Sequence, residues 1–95
     1  MIRVQVGGLK VSCKESQGGY THSRLVMAGD KPIHLIVRKE SQRERLRNAP
    51  LRSFVSVTGL MHSACRFTQE GTPYVHQTVE VESLQCFQSE TTEKE

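Results

Sequence analysis

The chain has 95 residues and a formal net charge of +3, enough for one domain and too few for two, since independent domains rarely fall far below about 50 residues. Hydrophobic residues make up 36%, charged residues 24%, and mean hydropathy is −0.47, an ordinary balance for a soluble domain. No apolar run approaches the roughly 20 residues of a membrane span, and three widely spaced cysteines make no disulfide framework, which excludes membrane transport and secreted scaffolds.

The start, Met1-Ile2-Arg3-Val4-Gln5-Val6, alternates instead of building a signal-peptide core, so the chain reads as cytoplasmic. Ile2, Val4 and Val6 against Arg3 and Gln5 predict a half-buried strand, and Leu9 and Val11 resume the pattern after Gly7-Gly8. A glycine pair inside such a pattern predicts a bulge or a bend. Ser16 to Gly19 is a turn, and residues 22–28 make a second strand with Leu25 and Met27 on one face. Gly29-Asp30-Lys31-Pro32 is hairpin chemistry leading into a third strand, Ile33 to Val37. Residues 39–48 are strong helix formers with only Leu46 apolar, and Pro50 stops them.

Phe54 to Met61 alternates around Gly59 and continues through Phe67 as a fourth strand. Glu70-Gly71 turns a hairpin into a fifth strand from Tyr74 to Val81, with Val75, Val79 and Val81 inward, and then Leu84. Residues 88–95 carry no apolar side chain and read as an acidic, disordered tail, leaving 1–87 as the folded domain. Five strands with a short helix between the third and fourth is the layout of an all-β OB-fold barrel.

Charge is divided along the chain. Residues 1–66 hold 12 Lys/Arg against 4 Asp/Glu, and residues 67–95 hold 1 against 6. A basic body with an acidic end points to a polyanion-binding surface, with a tail that competes for it or recruits a partner; solubility alone would produce the same asymmetry.

Several segments resemble a known family. Phe54-Val55-Ser56-Val57-Thr58-Gly59-Leu60, the turn at Gly71, and Gln77 to Gln85 are similar to the C-terminal half of bacterial single-stranded DNA-binding proteins. Val4-Gln5-Val6-Gly7-Gly8-Leu9 is similar to their first strand. Gly19-Tyr20-Thr21-His22-Ser23-Arg24-Leu25-Val26-Met27 resembles the primosomal replication protein N family, shortened relatives used in replication restart. The resemblance implies a homodimer or tetramer of OB-folds that binds single-stranded DNA without strong sequence preference and without catalysis. It also implies partners among replication helicases, primases or restart proteins. The acidic end lacks the apolar tip of the larger proteins, which favours the primosomal relatives, and there is no Trp.

A groove for single strands needs cations for phosphates and flat side chains for bases. The phosphate candidates are Arg3, Lys10, Lys14, Arg24, Lys31, Arg38, Lys39 and Arg66. The stacking candidates are Tyr20, Phe67 and Tyr74, with His22, His34 and His76 beside them on the strands. OB-folds bind through the second and third strands and through the loops that hold Tyr20, Phe67 and Tyr74. Phe54 and Phe87 read as core or dimer contacts, and the three cysteines as small buried hydrophobes. Arg43, Arg45, Arg47 and Arg52 are either a solvated helix face balanced by Glu40 and Glu44 or a phosphate ramp.

No metal, cofactor or catalytic site is expected. There is no Cys-x-x-Cys, no His-Glu-x-x-His, no phosphate-cradling loop and no paired carboxylates in the body. His62 and Cys65, three residues apart, fall on opposite faces of a strand. Two rival readings stay open: an OB-fold adaptor whose basic face docks an acidic protein, and RNA binding through the same face.

Overall fold

The computed structural model describes residues 2–27 and 31–87. Five strands and one helix follow in the order β1 (Ile2–Glu15), β2 (Thr21–Val26), β3 (Ile33–Val37), α1 (Glu40–Asn48), β4 (Phe54–Phe67) and β5 (Pro73–Phe87). The strands close into a barrel in the order β1-β2-β3-β5-β4, with β3 and β5 parallel and every other pair antiparallel. This is the expected OB barrel with its helix after the third strand. The expected acidic tail, 88–95, lies outside the described residues, as do 28–30 at the β2–β3 connection.

Closure depends on β1. Its first half pairs with β4, from Ile2 opposite Met61 to Leu9 opposite Phe54. Its second half pairs with β2, from Leu9 opposite Val26 to Glu15 opposite Thr21. The register shifts between Lys10 and Ser12, so the bulge lies at Val11 and not at the glycine pair. Gly8 serves close approach instead: a Cβ there would stand 2.8 Å from the Val26 carbonyl oxygen.

Alternation sends Leu25, Leu35, Val37, Val55, Val57, Val79 and Leu84 into the barrel, where each is buried. A second bulge explains why both Val79 and Leu84 point inward despite their odd spacing. Thr58 pairs with Ser83 but Gly59 pairs with Val81, so Glu82 is the extra residue and the phase of β5 changes there. Gly59 is required at this point, because an added Cβ would sit 2.0 Å from the Glu80 carbonyl oxygen.

The helix plugs one end of the barrel with Leu46, its single fully buried residue. Pro50 ends it, and the chain returns to β1 through Arg52 N–H to the Lys10 carbonyl (2.7 Å) and Lys10 N–H to the Ser53 carbonyl (2.9 Å). Arg43 and Arg47 anchor the outer side to Glu15 at 2.6 and 3.1 Å, and Arg43 also donates to the Gly19 carbonyl and to Thr21 Oγ1. The Arg43 guanidinium above all holds the Glu15 carboxyl down at about 2, with Thr21 and Arg47 assisting. Arg45 donates to the Leu84 carbonyl. Of the two readings of the arginine cluster, these bonds fit the structural one, since Arg43 and Arg47 spend their charge on Glu15 and Glu40.

Beyond the barrel, β4 and β5 continue as a two-stranded arm. Residues 63–67 and 73–77 pair only with each other among the described residues, and the molecule is drawn out to 49 × 29 × 25 Å. Here the alternation no longer predicts burial. Val75, expected inward, is 57% exposed, because no core lies behind the arm. Two further expectations are corrected: Met27 follows the end of β2 and is exposed, and Cys65 is exposed on the arm. Phe54 and Phe87, expected in the core or at a dimer contact, pack on each other (ring centroids 5.8 Å apart) outside the core.

Candidate functional site

With Thr21, Ser23 and Leu25 buried in β2, and Leu35 and Val37 in β3, their neighbours point outward. The registers then set these outward residues in rows across the sheet. Thr21 pairs with Val37, so Tyr20 and Arg38 stand side by side just past the paired residues. Next come Lys14, His22, Ile36 and Glu80, and then Ser12, Arg24, His34, Thr78 and His62. The rows continue onto the arm with His76 beside Ala64 and Tyr74 beside Arg66.

The result is a stripe of flat side chains, Tyr20, His22, His34, His76 and Tyr74, with Arg38, Lys14, Arg24 and Arg66 along it. Four row steps at the strand rise make it roughly 26 Å long. Arg38 lies over the Tyr20 ring at 5.3 Å, and Lys31 over Tyr74 at the same distance. Ser12, Lys14, His22, Arg24 and His34 line a shallow cleft of about 240 Å³ in the middle of the stripe. Arg24 is steadied there by its Nε–H donating to Ser12 Oγ at 3.1 Å.

The three histidines form a ladder. His34 and His76 are stacked, with ring centroids 4.1 Å apart and planes 29° apart. His22 and His34 meet differently: His22 Nε2 lies 3.0 Å from His34 Nδ1, while the centroids are 5.2 Å apart. Those distances fit two rings joined nitrogen to nitrogen by one N–H···N hydrogen bond, with the tautomer deciding which ring donates. Burial first, and then the charges of the other histidines, Arg24 and Arg66, push His34 down to about 4. Burial also lowers His22 and His76, with Arg24 next for His22 and Arg66 for His76. At neutral pH the ladder is therefore an uncharged aromatic surface between cations.

Lys14, Tyr20, His22, Arg24, His34, Arg38, Arg66, Tyr74 and His76 thus come together. Four expected residues do not join them. Lys10 is buried, 3% exposed, with its ammonium donating to the carbonyls of Leu46 (2.8 Å) and Ala49 at the end of α1; it holds the helix and cannot meet a phosphate. Arg3 is tied by two 3.0 Å bonds to Glu82 on another part of the barrel wall. Lys39 is exposed at the start of α1, beyond the rows. Phe67 is opposite Pro73, one residue out of phase with the Arg66–Tyr74 pair, so it lies on the reverse face of the arm. His62 was absent from the expected set and belongs to it by position, in the row of His34 and 3.2 Å from Glu80 Oε2.

No family model and no curated protein matches the sequence. Solved structures do match. The mitochondrial single-stranded DNA-binding protein Rim1 of S. cerevisiae is similar with a TM-score of 0.69 and 11% identity, over 95% of this chain and 97% of that one. An OBody bound to hen egg-white lysozyme gives a TM-score of 0.72 at 10% identity, covering 94% and 97%. The S. pombe Stn1–Ten1 complex gives 0.66 at 11% identity, covering 92% of this chain and 59% of that one. At these identities the likeness establishes the OB fold.

Proposed function

We propose that this chain is a non-catalytic single-stranded DNA-binding protein of the replication or replication-restart (primosome) type, acting as a homodimer and binding without strong base specificity. The stripe from Tyr20 to Tyr74 carries the reading. It supplies flat surfaces for bases and cations for phosphates on one face, the pairing that holds single strands by stacking and charge with little regard to sequence. The likeness to Rim1, a mitochondrial single-stranded DNA-binding protein, supports the same reading at the level of fold. The lysozyme-bound OBody, an OB barrel in a protein complex, keeps the adaptor reading in view.

Anisotropy of labelled dT, dA and rU oligonucleotides and of a duplex, at two salt concentrations, separates these readings. The expected result is preference for single strands, little difference between dT and dA, and affinity that falls with salt as neutralised phosphates release counterions. Preference for rU over dT would move the assignment to RNA. Equal weak binding to all four, unchanged by salt, would remove it and favour an acidic protein partner.

A further inference from the structure

We infer that the histidine ladder makes strand binding proton-linked: a phosphodiester backbone lying along His22, His34 and His76 draws protons onto the imidazoles, so the face holds single strands more tightly as pH falls. The inference rests on the strand-binding reading above and adds to it the means by which that site is regulated.

The geometry sets the terms. His22 Nε2 and His34 Nδ1 face each other at 3.0 Å, and a second proton would set two N–H groups against each other. The pair therefore carries at most one charge while that bond lasts. His76, stacked on His34 at 4.1 Å, adds a like charge at close range whenever it is protonated. The surrounding groups include the cations Lys14 from β1, Arg24 from β2, Arg38 after β3 and Arg66 from β4, and a further imidazole, His62, on β4. From β5 come the phenol of Tyr74 and the carboxylate of Glu80, which is already engaged by His62 at 3.2 Å and Arg38 at 4.0 Å. Nothing in these rows offsets a charge on the ladder, so the free chain keeps it neutral, with His34 at about 4.

A polyanion reverses this balance, because a phosphate beside the rings favours their charged form. If binding returns His34 to the ordinary imidazole value, linkage makes affinity about tenfold higher at pH 5.5 than at pH 7.5, with about one proton taken up per strand. At neutral pH the same rings remain stacking surfaces.

Calorimetry of the full chain with a dT oligonucleotide, at pH 6 in buffers of different ionisation enthalpy, counts the protons taken up. Anisotropy at pH 7.5 and 5.5 gives the affinity ratio, and thymine itself does not titrate in this range. The expected result is about one proton and about tenfold tightening, both reduced in His34→Gln, which keeps hydrogen-bonding capacity but cannot charge. His76→Gln, at the outer end of the ladder, gives the same readout should His34→Gln not fold. Binding with equal affinity at both pH values and no proton uptake overturns the inference and leaves strand binding standing. Undiminished uptake in both variants also overturns it. No binding at either pH overturns the functional reading and the inference with it.

Discussion

Lys10→Met tests whether this lysine belongs to the fold or to the ligand surface. The side chain is buried, and its ammonium donates to the carbonyls of Leu46 and Ala49. Methionine matches the stem in length but leaves both bonds unmade. The Leu46 carbonyl keeps a 3.2 Å bond from the Ala49 N–H, so the Ala49 carbonyl bears most of the loss. Charge-assisted bonds contribute about 1.5–3 kcal/mol each, and the relief of not burying an ammonium offsets part of that. A net loss of about 3 kcal/mol is expected, and for a domain of this size that lowers Tm by about 12–24 °C. Urea and thermal denaturation followed by circular dichroism give the number. The second arm of the test is the salt dependence of dT binding below the melting point. A lysine on a phosphate would take about 0.7 from the slope of log affinity against log salt, and a structural lysine takes nothing. A variant as stable as the parent with a shallower salt slope would refute the assignment of Lys10 to the helix.

Tyr74→Ala should weaken dT binding by about 5- to 150-fold, the range for losing one stacked base, whereas Phe67→Ala on the reverse face of the arm leaves affinity as it was; equal losses in the two would dissolve the one-faced stripe. Gly59→Ala should cost at least about 2–3 kcal/mol in urea, because the new methyl meets backbone at the β5 bulge, and parent-like stability would contradict the register there. Glu15→Gln should destabilise the docked helix in a pH-dependent way. The folded carboxyl lies at about 2, below its ordinary 4.5, so its contribution is complete above pH 4.5 and fades as pH falls towards 2. The difference in melting temperature between parent and variant should therefore shrink from pH 6 to pH 2, and a constant difference would discount the Arg43–Glu15 pair.

Period-two patterning carried the architecture, since inward and outward residues are set by local geometry. It placed the starts of all five strands, the Glu40–Asn48 helix, and the turns at Ser16–Gly19 and Glu70–Gly71 within a residue or two, while β1 and β5 run on past their expected ends at Val11 and Val81 to Glu15 and Phe87. It failed where the partner strand decides the outcome. The phase change at Glu82 comes from the crowding of Gly59 against β5, and Val75 is exposed because the barrel stops short of it. Lys10 reads as a surface cation until the turn after α1 is folded over it. The histidine ladder was legible only as separate residues: His22 and His34 stand 12 apart, and His76 joins them through a parallel pairing of β3 with β5 that no local pattern announces.

The arm beyond the barrel has a consequence for how this molecule can change over time. Residues 63–67 and 73–77 add little to the buried core, so substitutions there weigh on the proposed binding surface and hardly at all on whether the chain folds. The barrel is held instead by a short set of interior positions and by one obligatory glycine at the β5 bulge. A lineage can thus rewrite its recognition surface, residue by residue, while the container persists. Barrels that superimpose on this one at 10–11% identity show that the fold can be built with almost none of these residues.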